Sequence, residues 1–262
     1  MAQAETSSAP RPIGARSEVD LGRLAAAYDH RVEAGAVRRA GIAADTTGLG
    51  SGATVVDVGG GRGVHAVVFT ERGARAVVVD PSPAMVLASH RRGVVGVVAR
   101  GESLPIADGV VDLVYFHLSI HHGAWPDMLA EAARVAGSRG RIWVWTFPDT
   151  YHENSYLARW FPSVAAIDAA RFPPVEGLRT GLADLGLVVA PTVAHHDRIS
   201  RPAGAWMAAV RAGFVSTLHL VPPDEIEAGL VAFGSRHPDP SESIEYDLPY
   251  LGLHAEGPGL VS

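Results

Sequence analysis

The sequence predicts an α/β fold built on a doubly wound, mostly parallel sheet with helices on both faces. Two observations predict it. Between residues 53 and 147, short β-branched runs alternate with helical segments of about 10 to 15 residues, the rhythm of repeated β-α-β units. A cluster of four glycines, in "VVDVGGGRGVHA" over residues 55–66, sits where the first strand hands over to the first helix. Glycine brings no side chain to pack and loses the most backbone freedom on folding, so such a cluster marks a place where something comes close to the main chain. In an open parallel sheet that place is the crevice beyond the carboxyl ends of the strands, faced by the free amides of a helix N-terminus.

Each element follows in order. Residues 1–16 mix Ser, Pro, Ala and Gly without periodicity and are expected to form a disordered tail. Over 17–43, Leu21, Leu24, Ala25, Tyr28, Val32 and Val37 recur near helical spacing behind Asp20 as a cap, which predicts a lid helix. "ATVVDVG" (53–59) reads as a buried strand, "RGVHAVVFTERG" (62–73) as a helix closed by Gly73, "ARAVVVD" (74–80) as a second strand and "SPAMVLASHRRG" (82–93) as a helix closed by Gly93. "VVGVVAR" (94–100) and "GVVDLVYFHLS" (109–119) give the third and fourth strands, "WPDMLAEAARVAG" (125–137) a helix and "GRIWVWTF" (140–147) the fifth strand. The alternation then loosens. Residues 150–172 hold a mixed aromatic and helical segment, 174–187 a helix, 188–200 a sixth strand, and 202–217 and 223–235 two helical pieces. "SIEYDLPYLGLHAEG" (243–257) ends the sheet as an antiparallel seventh strand. One domain over 17–262 is expected, with a ligand-binding core at 50–150 and cap insertions at 150–172 and 202–235.

Composition narrows the function. With 262 residues, 47% hydrophobic and 19% charged, the chain has enough apolar mass for a sizeable core. Its longest apolar runs, "GVVGVVA" and "LGLVVA", fall far short of the roughly 20 residues that span a bilayer. The N-terminus lacks the basic start and apolar stretch of a signal peptide, so a cytoplasmic protein without membrane contact is expected. The absence of Cys excludes disulfides, thiolate metal ligation and cysteine nucleophiles. A formal charge of −6 argues against a nucleic-acid partner. All 22 basic residues are Arg, the codon bias of a GC-rich bacterial genome.

Two ligand classes compete for the glycine loop. The dinucleotide pattern GxGxxG fails from Gly59 because residue 64 is Val, although Gly61, Gly63 and Ala66 fit GxGxxA. The glycine directly after the strand is Gly59, however, and Asp57 precedes it. A carboxylate at the strand end suits an ammonium group better than a pyrophosphate.

At this point a family resemblance enters. "VVDVGGGRG" resembles the first motif of the class I S-adenosylmethionine-dependent methyltransferases, and "AVVVDPSPAM" resembles their second-strand motif. "ARGESLPIADGVVDLVYFHLSIHH" and "LAEAARVAGSRGRIWVWTF" are similar to the type 11 branch that includes the ubiquinone and menaquinone methyltransferases. "AAYD" at Ala26 to Asp29 is similar to the family's lead-in helix. The motifs span about residues 50–150, and their order is more specific than any one of them. The resemblance implies a Rossmann-like sheet, S-adenosylmethionine as cofactor and S-adenosylhomocysteine as product. It implies that Asp57, Gly59, Gly60 and Gly61 hold the methionine end and that Asp80 takes the ribose hydroxyls. Adenine is then expected between Pro81, Met85 and the turn Gly101 to Ser103. Family members often place Asp where this chain has Arg100, so Glu102 or a backbone carbonyl is expected to take the adenine amino group. His117 is expected beside the methionine end and His121 as a general base, with Tyr28 closing over the methionine end from the N-terminal helix.

Plainer readings stand beside these. Asp80 would also serve as a helix cap, Met85 and Tyr28 as core residues, and the histidines as packing. His117 and His121 have i, i+4 spacing, but no acid or Cys completes a ligand set, so no metal is expected. His195 and His196 are adjacent on a strand and point to opposite faces.

Methyl transfer from a sulfonium is an in-line displacement, which mainly requires alignment in a dry pocket. A small, largely apolar substrate is therefore expected, with the O, N or C acceptor open, in bacterial secondary metabolism and in a monomer or homodimer. The chain has no Asn/Asp-Pro-Pro-aromatic run after the fourth strand and no acid set of the catechol type. Use of the cofactor for a cyclisation, a non-catalytic S-adenosylmethionine-binding module and a dehydrogenase are the alternatives.

Overall fold

The structure is a computed structural model, and it describes Val19 and residues 35–260. Among these lie eight strands: β1 Thr54–Val58, β2 Arg75–Asp80, β3 Val95–Val98, β4 Leu113–His117, β5 Arg141–Thr146, β6 Val188–Val189, β7 Val193–Pro202 and β8 Ser243–Glu256. The helices are α1 Ala36–Thr46, α2 Val64–Glu71, α3 Pro83–Arg91, α4 Trp125–Ala136, α5 Tyr151–Asn154, α6 Ser163–Arg171, α7 Val175–Asp184, α8 Ala203–Ala212 and α9 Pro223–Arg236. The strand order is β3-β2-β1-β4-β5-β8-β6, with β7 also paired to β8. β1 to β5 run parallel, and β8 lies antiparallel to β5, β6 and β7. The chain winds one way from β1 and the other way from β4, so the switch point lies between these two strands.

Strict alternation along the central strands builds two cores. Val56, Val58, Val114, Phe116, Ile142 and Val144 face α4 and α7, meeting Met128, Leu129, Ala132, Leu178 and Leu182. Val55, Leu113, Tyr115, Trp143 and Trp145 face the other way, onto Ala40, Ala43 and Ala44 of α1 and Ala66 and Phe69 of α2. On α4 the buried residues Met128, Leu129, Ala132, Val135 and Ala136 follow the helical period, which is why this helix covers the sheet with one stripe. A third core joins the two segments left outside the sheet pattern. Phe161 and Val164 from the first pack with Trp206, Ala209, Val210, Leu230 and Phe233 from the second.

The predicted sixth strand divides, giving eight strands where seven were expected. Ala190 still donates to His254 O at 3.0 Å, but Pro191 has no N–H for a ladder, and β7 starts afresh at Val193. β8, of 14 residues, serves all three neighbours: its distal part pairs β5 and β6, while 243–252 pair β7. α1 opens behind Gly35, at φ 87°, and continues to Thr46, past the expected end at residue 43. The rest of the expected lid helix except Val19, the tail 1–16, and Tyr28 lie outside the described residues. No described helix is long and apolar enough to cross a membrane.

Candidate functional site

A cavity of ≈ 210 Å³ opens at the carboxyl ends of β1 and β4, under the cap segments. Asp57, Gly59 and Gly60 form its floor, and His65, His117 and His121 flank it. Aromatic rings, among them Phe147, Tyr151, Phe172, Trp206, Tyr246 and Tyr250, line its wall.

Two glycines are required here for distinct reasons. Gly59 adopts φ 67°, and a Cβ on it would stand 2.5 Å from Cβ of Ser119, which itself donates to Val58 O at 2.6 Å. At Gly60 a Cβ would come within 2.5 Å of Cγ of Asp57 and 2.9 Å of its backbone carbonyl. The loop is thus folded tightly around the Asp57 carboxylate.

That carboxylate is the unusual group of the site. Asp57 is fully buried, and neither oxygen takes a hydrogen bond of normal geometry. Burial, then the nearby Asp80 charge, pushes its pKa up to about 7, with the Ala66 amide opposing the shift. Asp80 is raised too, first by burial, against the amides of Ser82 and Gly61. Its Oδ2 accepts from Gly61 N at 3.0 Å and its Oδ1 from Ser82 N at 2.9 Å. The cap of α3 is Ser82, whose Oγ accepts from Met85 N at 3.4 Å; Asp80 instead braces the turn between β2 and α3 to the glycine loop.

Two polar groups of side chains face the cavity. At the strand ends, Arg39 Nε donates to His117 Nε2 at 2.8 Å, and the rings of His117 and His65 lie 4.1 Å apart. Just beyond, in the turn Ile120–His122, His121 stacks on Phe172 with centroids 3.9 Å apart and planes 19° apart. On the cap side, Thr217 Oγ1 donates to Asp168 Oδ1 at 2.5 Å. Arg171 donates to Thr217 Oγ1 at 3.2 Å and Ser216 Oγ at 3.1 Å, and it meets His122 Nδ1 at 3.3 Å. Burial raises the Asp168 carboxyl and lowers the Arg171 guanidinium from their ordinary values, each partly offset by the other.

Of the residues singled out in the sequence, Asp57, Gly59, Gly60, His117 and His121 come together on the cavity wall. Gly61 and Asp80 sit directly behind them, joined by their hydrogen bond. Pro81 is exposed, Met85 is buried, and Gly101 and Glu102 stand outside the lining, Glu102 accepting from Ala124 N at 2.9 Å. His195 is half-buried against Asp197 and His196 is exposed, as strand alternation requires. Sequence reasoning missed Arg39, Asp168, Ser216 and Thr217. Only Arg39 carried a signal: it lies on the helical stripe of Ala36, Ala40 and Ala43, an odd place for a charge. Among the described residues no cluster of His, Asp and Glu is arranged to hold a metal ion.

The family pattern described as a methyltransferase domain matches residues 56–144. An uncharacterized methyltransferase of Mycobacterium sp. (strain KMS) is 48% identical over 110 residues, covering 39% of this chain and 44% of that protein. One from Mycobacteroides abscessus (strain ATCC 19977) is 31% identical over 202 residues, covering 65% of this chain and 76% of the relative. The match thus spans less than half the length of the first curated relatives, 44%, 44% and 32%. Among solved structures, geranyl diphosphate C-methyltransferase from Streptomyces coelicolor A3(2), in complex with Mg2+, geranyl diphosphate and S-adenosyl-L-homocysteine, superposes with a TM-score of 0.54 at 19% identity, covering 84% of this chain and 77% of that one. At that identity the likeness concerns the fold.

Proposed function

The chain belongs to the class I S-adenosylmethionine-dependent methyltransferase family, and from that premise we propose that it transfers the methyl group of S-adenosylmethionine to a small, largely apolar acceptor. The observation that carries the reading is Asp57, a fully buried carboxylate without a hydrogen bond of normal geometry, at the floor of the cavity against Gly60. Leaving a charge so desolvated is costly unless a partner arrives, and the ammonium of the cofactor's methionine end is such a partner.

When bound, the cofactor supplies an electrophilic methyl carbon for in-line displacement. The protein's part is to bind, align and dehydrate. Asp57 and the backbone of Gly59, Gly60 and Gly61 hold the methionine end. Asp80, at the tip of β2, holds the ribose hydroxyls, exchanging its present loop contacts for them. Pro81, Met85 and the turn around Gly101 and Glu102 would hold the adenine. The rings of Phe147, Tyr151, Phe172, Trp206 and Tyr246 exclude water around an apolar acceptor. His121 receives a proton at its imidazole from a hydroxyl, amine or carbon acid as it attacks.

Calorimetric titration tests the reading. Micromolar binding of S-adenosylmethionine and S-adenosylhomocysteine, with none of NADH, is expected; silence toward the first two would discard it. Asp80→Ala is expected to weaken that binding by about 1–3 kcal/mol, the value of charged hydrogen bonds to ribose. Unchanged affinity would return Asp80 to bracing the loop alone. Product mass separates methylation from cyclisation, since only the first adds a methylene unit.

A further inference from the structure

We propose that Arg39 is a positioning residue that holds His117 as the neutral imidazole protonated at Nδ1, making His117 a hydrogen-bond donor at the cavity rather than a base. Arg39 sits on α1 at 4% exposure. Among the described residues, three elements meet its guanidinium. Nε donates to His117 Nε2, 2.8 Å away at the end of β4; Nη1 donates to Asp197 Oδ2 on β7; and the Tyr250 ring of β8 lies 4.4 Å from its central carbon. Asp197 Oδ1 in turn pairs with His195 Nε2 at 2.9 Å. The arrangement is built into the backbone. Gly35, at φ 87°, caps α1 where any Cβ would collide with the Asp197 carboxylate and stand 2.6 Å from Arg39 Nη1.

The tautomer follows from elementary chemistry. A guanidinium does not surrender its protons in a protein, so the ring nitrogen facing Arg39 Nε–H must present a lone pair. A neutral imidazole has one proton, and it is then on Nδ1. Protonating Nε2 would set one N–H against another beside a cation. Among the described residues, His65 on α2 at 4.1 Å and Tyr250 on β8 at 5.8 Å between ring centroids also face His117, and Asp57 and Arg62 share its cavity wall. Asp197 and His195 act one step removed, through Arg39.

A buried ion pair contributes little net stability, since desolvation offsets most of its attraction. What this one delivers is a fixed donor. A donor backed by a cation suits an anionic group at the methionine end, such as the cofactor's carboxylate. That functional step rests on the proposed cofactor site, whereas the tautomer does not.

The experiment is long-range 15N–1H NMR of the histidine rings in the full chain without ligand, at mildly alkaline pH. In the wild type, His117 is expected as a single species, Nδ1 protonated and Nε2 bare. Arg39→Met is expected to give a mixture containing the Nε2–H form and to bind S-adenosylmethionine roughly 10-fold more weakly, the loss of one charge-supported hydrogen bond. Arg39→Lys is expected to restore part of both. If Arg39→Met fails to fold, Asp197→Asn, which frees the guanidinium without removing it, is expected to loosen the tautomer in the same direction. A mixed tautomer in the wild type, or an unchanged one in whichever of Arg39→Met and Asp197→Asn folds, overturns the proposal. A fixed tautomer in a wild type that binds no S-adenosylmethionine would instead sink the cofactor reading and leave the positioning intact.

Discussion

Asp57→Asn is expected to stabilise the ligand-free protein at pH 8 while costing about a hundredfold in S-adenosylmethionine affinity. The two effects have one cause. In the folded chain the Asp57 carboxyl titrates at about 7 against an ordinary value of 3.8, because burial penalises its charge. The folded state therefore holds a proton that the unfolded state has lost between about pH 4 and pH 7, and stability falls as pH rises through that window. Three pKa units correspond to about 4 kcal/mol of penalty above pH 7, an upper figure for a group that can recruit water or a partner. Asn carries no charge to desolvate, so the variant's stability is expected to lose this slope. Denaturant melts of both proteins at pH 5 and pH 8 measure it. A wild type that gains on the variant toward pH 8 would show that the carboxylate is already paired. Binding reports the other side. The ammonium loses its counter-charge in the variant, worth about 2–3 kcal/mol as a charged hydrogen bond. In the wild type the affinity is expected to rise with pH up to about 7 and then level, because only ionised Asp57 is the partner.

How much of this was legible depends on the range over which each feature is specified. β1, β2, β4 and β5 are written locally: unbroken runs such as "ATVVDVG" and "GRIWVWTF" bury both faces and read as central parallel strands. The glycine loop is local in part: Gly60 answers to Asp57 close by in the chain, whereas Gly59 answers to Ser119 beyond β4. The division at Pro191 was visible in principle, because a missing N–H interrupts a ladder, but the apolar residues around it kept the strand pattern alive. The cap wall was not legible. Thr217 and Asp168, 49 residues apart, meet only because the two segments outside the sheet share a core, and nothing in either stretch announces the other. Arg39 and His117 are 78 residues apart, and their hydrogen bond is equally a product of tertiary folding.

That same bond sharpens the assignment of the base. Of the imidazoles that line the cavity, His117 is engaged at Nε2 by Arg39 and His122 at Nδ1 by Arg171, and His121 is the base of the proposed reaction. Its ring is fixed by stacking on Phe172 at 3.9 Å and flanked by His122 at 4.1 Å, whose Nδ1 is engaged by Arg171. His121→Ala is expected to lower turnover by about 10²-fold, with cofactor affinity kept, if the acceptor needs its proton removed during attack. Alanine also removes the stacking partner of Phe172, so His121→Phe supplies the control: it keeps a flat ring there and removes the base. Equal losses of turnover in both variants, with cofactor affinity kept, assign the defect to proton transfer. Recovery of turnover in His121→Phe would make His121 a packing residue. His117→Asn separates the two imidazoles further. It removes a donor, so its loss is expected in cofactor affinity and not in turnover at saturating cofactor, the opposite signature to His121→Ala.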